Sequence, residues 1–112
     1  MDPEHKNFLE LPPLTPDELG RAETAFQREC QGRYLVEGVL TQLVRTQDLS
    51  GAESRVPLQY LVGVARDLVK TFQTSGDAKV ANFFDKLLQG CTAELLRRAS
   101  PESHVRSGDY IP

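Results

Sequence analysis

The stretch that decides the fold is LVKTFQTSGDAKVANFF, residues 68–84. Apolar residues before TSGD recur every three or four positions, as on one face of an α-helix, and the same spacing resumes after it. Gly76 is a typical signal for the end of a helix, and either Ser75 or Asp77 can cap the next one. The stretch therefore predicts two helices joined by a tight turn.

Apolar residues extend this pattern in both directions. The first helix begins close to Pro57, and Pro101 ends the second. The two predicted apolar faces are Leu58, Leu61, Val62, Ala65, Leu68, Val69 and Phe72, and then Val80, Phe84, Leu87, Leu88, Cys91 and Leu95, flanked by Phe83 and Leu96. Glu94 and Arg98 are four residues apart, which predicts an ion pair on the second helix.

A third helical segment begins at a capping signal. Thr15 can serve as the N-cap, Pro16 needs no hydrogen-bond partner in the first turn, and Glu18 completes a capping box. Helical spacing continues to about Asp48, but the apolar face rotates by about a quarter turn near Gly32. This rotation indicates a kink, a junction of two helices, or one helix with two neighbours. We favour a bent or nearly continuous helix, a rod of about 45 Å.

The predicted fold is all-α, because no strand-like alternation competes with the helical spacing. We expect a small antiparallel helical bundle of three long or four shorter helices. Residues 1–14 contain consecutive prolines and are predicted to form an irregular, extended arm. Residues 15–100 form the predicted helical domain, and residues 101–112 a flexible tail. The 112 residues, of which 39% are hydrophobic, suffice for one globular domain.

Charge and hydropathy argue against several classes of function. The formal net charge is -3, and no basic stripe of the kind that binds nucleic acid is evident. No apolar run approaches about 20 residues, so no membrane span is predicted. The acidic start lacks the apolar core of a signal peptide, and we expect a cytoplasmic location.

Catalytic and metal-binding residues are not evident either. The only histidines, His5 and His104, lie in the predicted arm and tail, where no rigid scaffold orients them. Neither an HExxH motif nor a phosphate-binding loop motif occurs. Cys30 and Cys91 lie among apolar neighbours and are expected to be buried thiols, although they could also form a disulfide. We therefore predict no enzyme activity, no cofactor and no metal site.

Glycines within the predicted helices indicate a different kind of function. Glycine destabilises a helix interior by about 1 kcal/mol relative to alanine. Gly38 and Gly63 fall outside the apolar faces, and each follows a tyrosine by about one turn. Exposed backbone beside an aromatic ring suits a docking surface. The predicted partner-binding residues are Tyr34, Gly38, Thr41, Tyr60, Gly63 and Val64. Alternatively, these are tolerated surface glycines with tyrosines at the edge of the core.

The predicted function is a non-enzymatic helical protein–protein interaction module, in the role of an adaptor, a chaperone-like protein or a regulatory subunit. It would dock through a helix face to a protein partner or to a second copy as a homodimer. The alternative is a small helical nucleic-acid-binding transcriptional regulator. For that function Lys79, Asn82 and Lys86 lie on the outward side of a helix, although Asp85 lies among them.

Overall fold

The computed structural model describes residues 9–34 and 36–99. Within them the chain forms a bundle of five helices and confirms the all-α prediction. The helices are α1 (Pro16–Cys30), α2 (Val39–Thr46), α3 (Leu49–Glu53), α4 (Leu58–Ser75) and α5 (Ala78–Ala99). The predicted arm is therefore described only from Leu9 onwards, and the predicted tail, residues 101–112, lies outside the described residues.

Helices α4 and α5 pack on each other across the tight turn that the sequence predicts. Gly76 has a φ of 85°, a left-handed conformation that ends α4. The carboxylate of Asp77 accepts a hydrogen bond from the backbone N–H of Val80 at 3.5 Å, so Asp77 rather than Ser75 caps α5. Beyond the turn, the rings of Phe72 and Phe84 stack with their centroids 5.9 Å apart. Local signals and packing agree in this part of the fold.

The predicted long helix over residues 15–48 is wrong, because two helices meet there. Helix α1 ends at Cys30, where Gln31 and Gly32 both adopt left-handed conformations, with φ values of 53° and 74°. A helix cannot continue through two consecutive left-handed residues. Helix α1 has 15 residues and spans about 22 Å, half of the expected rod. Because the helix ends there and the chain turns, Phe26 in α1 and Leu40 in α2 both reach the core, where both are 0% exposed.

The start of α1 has the predicted capping box. The Glu18 backbone N–H donates to Thr15 Oγ1 at 3.1 Å, and the Thr15 N–H donates to Glu18 Oε1 at 2.9 Å. Arg21 then joins α1 to the start of α5, because its Nη2 lies 2.8 Å from Asp77 Oδ2. The ion pair lies at the surface and contributes little stability by itself.

Arg98 joins a buried carboxylate of α5 to α3. Glu94 is 6% exposed and accepts hydrogen bonds from Arg97 Nε at 3.0 Å and from Arg98 Nε at 2.6 Å. These hydrogen bonds hold the pKa of Glu94 below its usual value, and the bond from Arg97 has the largest effect. Arg98 Nη2 also donates to Glu53 Oε1 of α3 at 2.7 Å. The predicted Glu94–Arg98 pair is confirmed, whereas Leu96, predicted at the flank of the apolar face, is 67% exposed.

Candidate docking surface

Tyr34 and Tyr60 contact each other directly. Their ring centroids are 4.9 Å apart, and the ring planes meet at 62°, an edge-to-face arrangement. Tyr60 lies in the first turn of α4 as predicted, whereas Tyr34 lies in the connection after α1 rather than in a helix. Both side chains are half-buried against the edge of the core. The structure therefore brings together two residues that the sequence assigned to one surface without indicating that they touch.

Hydrogen bonding fixes the orientation of Tyr60. Its hydroxyl donates to the backbone carbonyl of Cys30, the last residue of α1, at 3.4 Å. The same carbonyl accepts the N–H of Arg33 at 3.0 Å. Desolvation is the main cause of a raised pKa for Tyr60, so its hydroxyl stays protonated at neutral pH and remains a donor. Tyr60 thus connects α4 to the end of α1 and holds its ring against Tyr34.

Gly38 and Thr41 are engaged within the chain. Gly38 is the N-cap of α2, with a φ of 78°, and not the helix-interior residue that the sequence predicts. Gly38 has no side chain that could cap the helix. The carboxylate of Glu23, in α1, takes this role instead. Glu23 Oε2 accepts the Gly38 N–H at 2.9 Å, and Glu23 Oε1 accepts the Thr41 hydroxyl at 3.5 Å. These contacts give both residues a structural role.

Val64 and Gly63 differ in their accessibility. Val64 is only 4% exposed and belongs to the core, so its predicted place on the outer face is wrong. The physical reason is that the apolar face of α4 is wider than the helical spacing indicates, since Val64 joins Leu61, Ala65 and Leu68 in the buried core. Gly63 is half-buried, and a Cβ atom built on it meets no atom within 4 Å. Space remains there for a side chain or a partner.

A shallow cleft lies beside Tyr34. It has a volume of about 380 Å³ and is lined by Gln27, Gly32, Tyr34, Val36 and Glu37. We use the name tyrosine surface for Tyr34, Tyr60 and Gly63 together with this cleft. The tyrosine surface combines aromatic rings with the apolar side chain of Val36 and the backbone at Gly32. Protein-binding patches contain a similar mixture of groups.

A pair of carboxyl groups adjoins Tyr60 between α1 and α4. The pKa of Glu29 is raised, first by burial and then by the charge of Asp67 and a hydrogen bond between the two side chains. Asp67 lies two turns after Tyr60 on α4, so the pair marks the edge of the tyrosine surface. The two carboxyl groups offer hydrogen-bond acceptors at this edge.

Other kinds of site receive less support from the described residues. Burial raises the pKa of the Cys91 thiol to about 12 and also raises that of Cys30. Both are free, buried thiols, as predicted, and they stay protonated and unreactive at neutral pH. No three His, Cys, Asp or Glu side chains within residues 9–34 and 36–99 are grouped to hold a metal ion. His5 and His104 lie outside the described residues.

The surface required by the nucleic-acid alternative is partly neutralised. Lys79 Nζ lies 3.9 Å from Glu18 Oε2 of α1. Asn82 and Lys86 are exposed, but Asp85 lies between them and accepts a hydrogen bond from the Gln89 amide at 2.8 Å. An acidic group among the basic ones weakens the attraction to DNA, because DNA is itself negative. In the part of the chain that the structure describes, no helix is long and apolar enough to cross a membrane.

Comparisons with protein-family models, with curated proteins and with solved structures find no match to this chain. Function therefore has to be inferred from the residues and their geometry. The feature that stands out is the tyrosine surface, since it combines two contacting aromatic rings with open space at Gly63.

Proposed function

We propose that the protein is a non-enzymatic protein–protein interaction module, an adaptor, chaperone-like protein or regulatory subunit, that docks a partner on its tyrosine surface. The observation that carries the proposal is the edge-to-face pair of Tyr34 and Tyr60, which is half-buried at the edge of the core. Tyrosine contributes a large apolar area and a polar group together, and it is enriched at the centres of protein interfaces.

Preorganisation favours this role. The ring of Tyr60 is held by its hydroxyl bond to Cys30 and by contact with Tyr34, so little side-chain freedom is lost when a partner binds. Gly63 lies one turn further along α4 and leaves its backbone accessible. A partner helix or a second copy of the chain can approach closely at that point.

A second copy is the partner we propose first, which makes the protein a homodimer. A cytoplasmic location belongs to the same proposal, because two free, buried thiols, Cys30 and Cys91, suit a reducing compartment.

Light scattering during size-exclusion chromatography, repeated over a range of micromolar concentrations, tests the homodimer. The variant Gly63→Gln adds bulk to the tyrosine surface, and its Cβ meets no neighbour within 4 Å, so the fold is expected to persist. The matched control is Gly20→Gln, a change at another helix glycine with the same open space but on α1, away from the tyrosines. We expect the dimer dissociation constant to rise at least about tenfold in the first variant and to stay unchanged in the second.

Substitution of the rings gives an independent readout. Tyr34→Ala and Tyr60→Ala each remove one half of the aromatic pair and are expected to weaken association. A strict monomer at all concentrations, or a dimer that none of the three surface variants affects, would contradict the proposal.

A further inference from the structure

The arm that precedes α1 is bound to the domain through its backbone. The N–H of Leu9 donates to the backbone carbonyl of Gln47 at 2.7 Å, and the N–H of Leu11 donates to Gln47 Oε1 at 2.7 Å. The Gln47 amide in turn donates to the carbonyl of Leu11 at 3.4 Å. Gln47 therefore pairs with three polar atoms of an extended segment, much as an adjacent strand would.

The conformation of Gln47 suits this contact. Gln47 ends α2 with a φ of 54°, a left-handed conformation that residues other than glycine rarely adopt. Its amide also donates to the carbonyl of Val44 at 3.0 Å, which anchors the side chain on α2. Backbone and side chain of one residue are thus both held in position to meet the arm.

Gly90 of α5 provides the space for Leu9. A Cβ atom built on Gly90 would lie 2.2 Å from Leu9 Cδ2, far inside van der Waals contact. Leu9 and Leu11 are each 6% exposed, while Glu10 between them is exposed beside Lys86. We use the name arm seat for the site formed by Gln47 and Gly90, which accepts two leucines at alternate positions of an extended chain.

None of these contacts depends on which copy of the chain supplies the arm. Residues 9–11 of a second copy carry the same leucines and the same backbone groups. The link between the arm and α1 is short and contains Pro12 and Pro13, which restrict its bending. Short, stiff links favour exchange of an element between identical copies, because they restrict how the element can fold back onto its own domain.

We propose that the arm seat also accepts residues 9–11 of a second copy, so that two chains associate by exchanging their arms. This inference concerns a different surface from the tyrosine surface and does not depend on it. Because the arm is tethered beside its own seat, closure within one chain competes with exchange between wild-type chains. A chain whose own arm is disabled binds the arm of another chain without this competition.

The test uses two full-length variants that complement each other. One carries Leu9→Ser and Leu11→Ser, which leave the seat empty and the arm inactive. The other carries Gly90→Val, which blocks the seat and leaves the arm free. Gly63→Gln is added to both, so that association through the tyrosine surface makes no contribution. Fluorescence energy transfer between labelled chains measures binding of the mixed pair and of each variant with itself.

We expect the mixed pair to bind at least about tenfold more tightly than either variant binds to itself. Circular dichroism and thermal melting check that both variants are folded. Equal transfer in mixed and self pairs of folded chains would overturn the proposal. If the double variant does not fold, the single variant Leu9→Ser replaces it.

If Gly90→Val does not fold, a synthetic peptide supplies the arm instead. The peptide LELPPL, residues 9–14, is titrated against the full-length chain with the disabled arm. A control peptide carries serine in place of Leu9 and Leu11. We expect saturable binding of the first peptide and at least about tenfold weaker binding of the control. Equal affinities, or no binding of either peptide, would refute the arm seat as a site for a second copy.

Discussion

The two glycines at positions 63 and 90 provide a matched pair of substitutions. Gly63 lies inside α4 and Gly90 inside α5, so alanine at either position gains about 1 kcal/mol of helix stability. The two positions differ in what a Cβ atom meets. At Gly63 the space within 4 Å is open, whereas at Gly90 the new atom would lie 2.2 Å from Leu9 Cδ2.

The expected magnitudes follow from this difference. Gly63→Ala is expected to raise the free energy of unfolding by about 1 kcal/mol. Gly90→Ala gains the same amount from the helix but forces Leu9 out of its position. The full burial of a leucine side chain is worth about 1.5–3 kcal/mol, which is the upper limit of the cost because the end of Leu9 can also shift, so the variant is expected to be at most about 2 kcal/mol less stable than the wild type and less stable than Gly63→Ala.

Urea unfolding followed by circular dichroism measures both changes. A second pair of variants in a Leu9→Ala background isolates the contact, because the shorter side chain no longer reaches the new methyl group. In that background Gly90→Ala is expected to become stabilising, and the two sites to be coupled by more than about 0.5 kcal/mol. If Gly63→Ala and Gly90→Ala stabilise the wild-type chain equally, the reasoning about the arm is refuted.

Four further predictions concern charge, capping, thiols and nucleic acid. The folded-state pKa of Glu29 is raised, so the native state binds a proton more tightly than the unfolded chain; stability should fall as pH rises from about 4.5. Glu29→Gln should remove this pH dependence and raise the free energy of unfolding by about 0.5 kcal/mol at neutral pH. Thermal melts of the variant and the wild type at several pH values measure the difference. Glu23→Gln should destabilise the start of α2 by about 0.5–1 kcal/mol in urea unfolding, and an unchanged midpoint would argue against capping. Cys30 and Cys91 should react with a thiol reagent only on unfolding, so rapid labelling of native protein would contradict their burial. A gel-shift titration at low salt should show no binding that weakens steeply with added salt.

The α4–α5 pair and the start of α1 could be predicted because their signals are local. Thr15 and Glu18 satisfy each other within one turn, and Gly76 ends a helix by its own backbone preference. The end of α1 could not be predicted in this way. Gln31 adopts a left-handed conformation that its residue type does not signal, and Gly32 alone is compatible with a kink as well as with a break.

The candidate surface was predictable in part for a related reason. The sequence identifies Tyr34 and Tyr60, but their contact depends on the reversal of the chain after Cys30. Val64, which the helical spacing alone puts outside, is buried in the core. Spacing along one helix describes its faces, whereas only tertiary structure decides which face is covered.

The arm seat was not predictable. Gln47 carries no sequence signal for positive φ, since glutamine rarely adopts it. Gly90 is conspicuous within its helix, but the residue that needs its space is far away in sequence, in the arm. Long-range contacts of an irregular segment leave no periodic pattern to read.

The capping of α2 by Glu23 has a consequence for the order of folding. Helix α2 has eight residues, too few to be stable alone, and its N-cap is a glycine without a capping side chain. Its cap comes from α1, 15 positions earlier in the chain. Helices α4 and α5, by contrast, are longer and are joined by a turn that contains its own cap. Nucleation can therefore begin in the C-terminal half, and α2 consolidates only once α1 has docked.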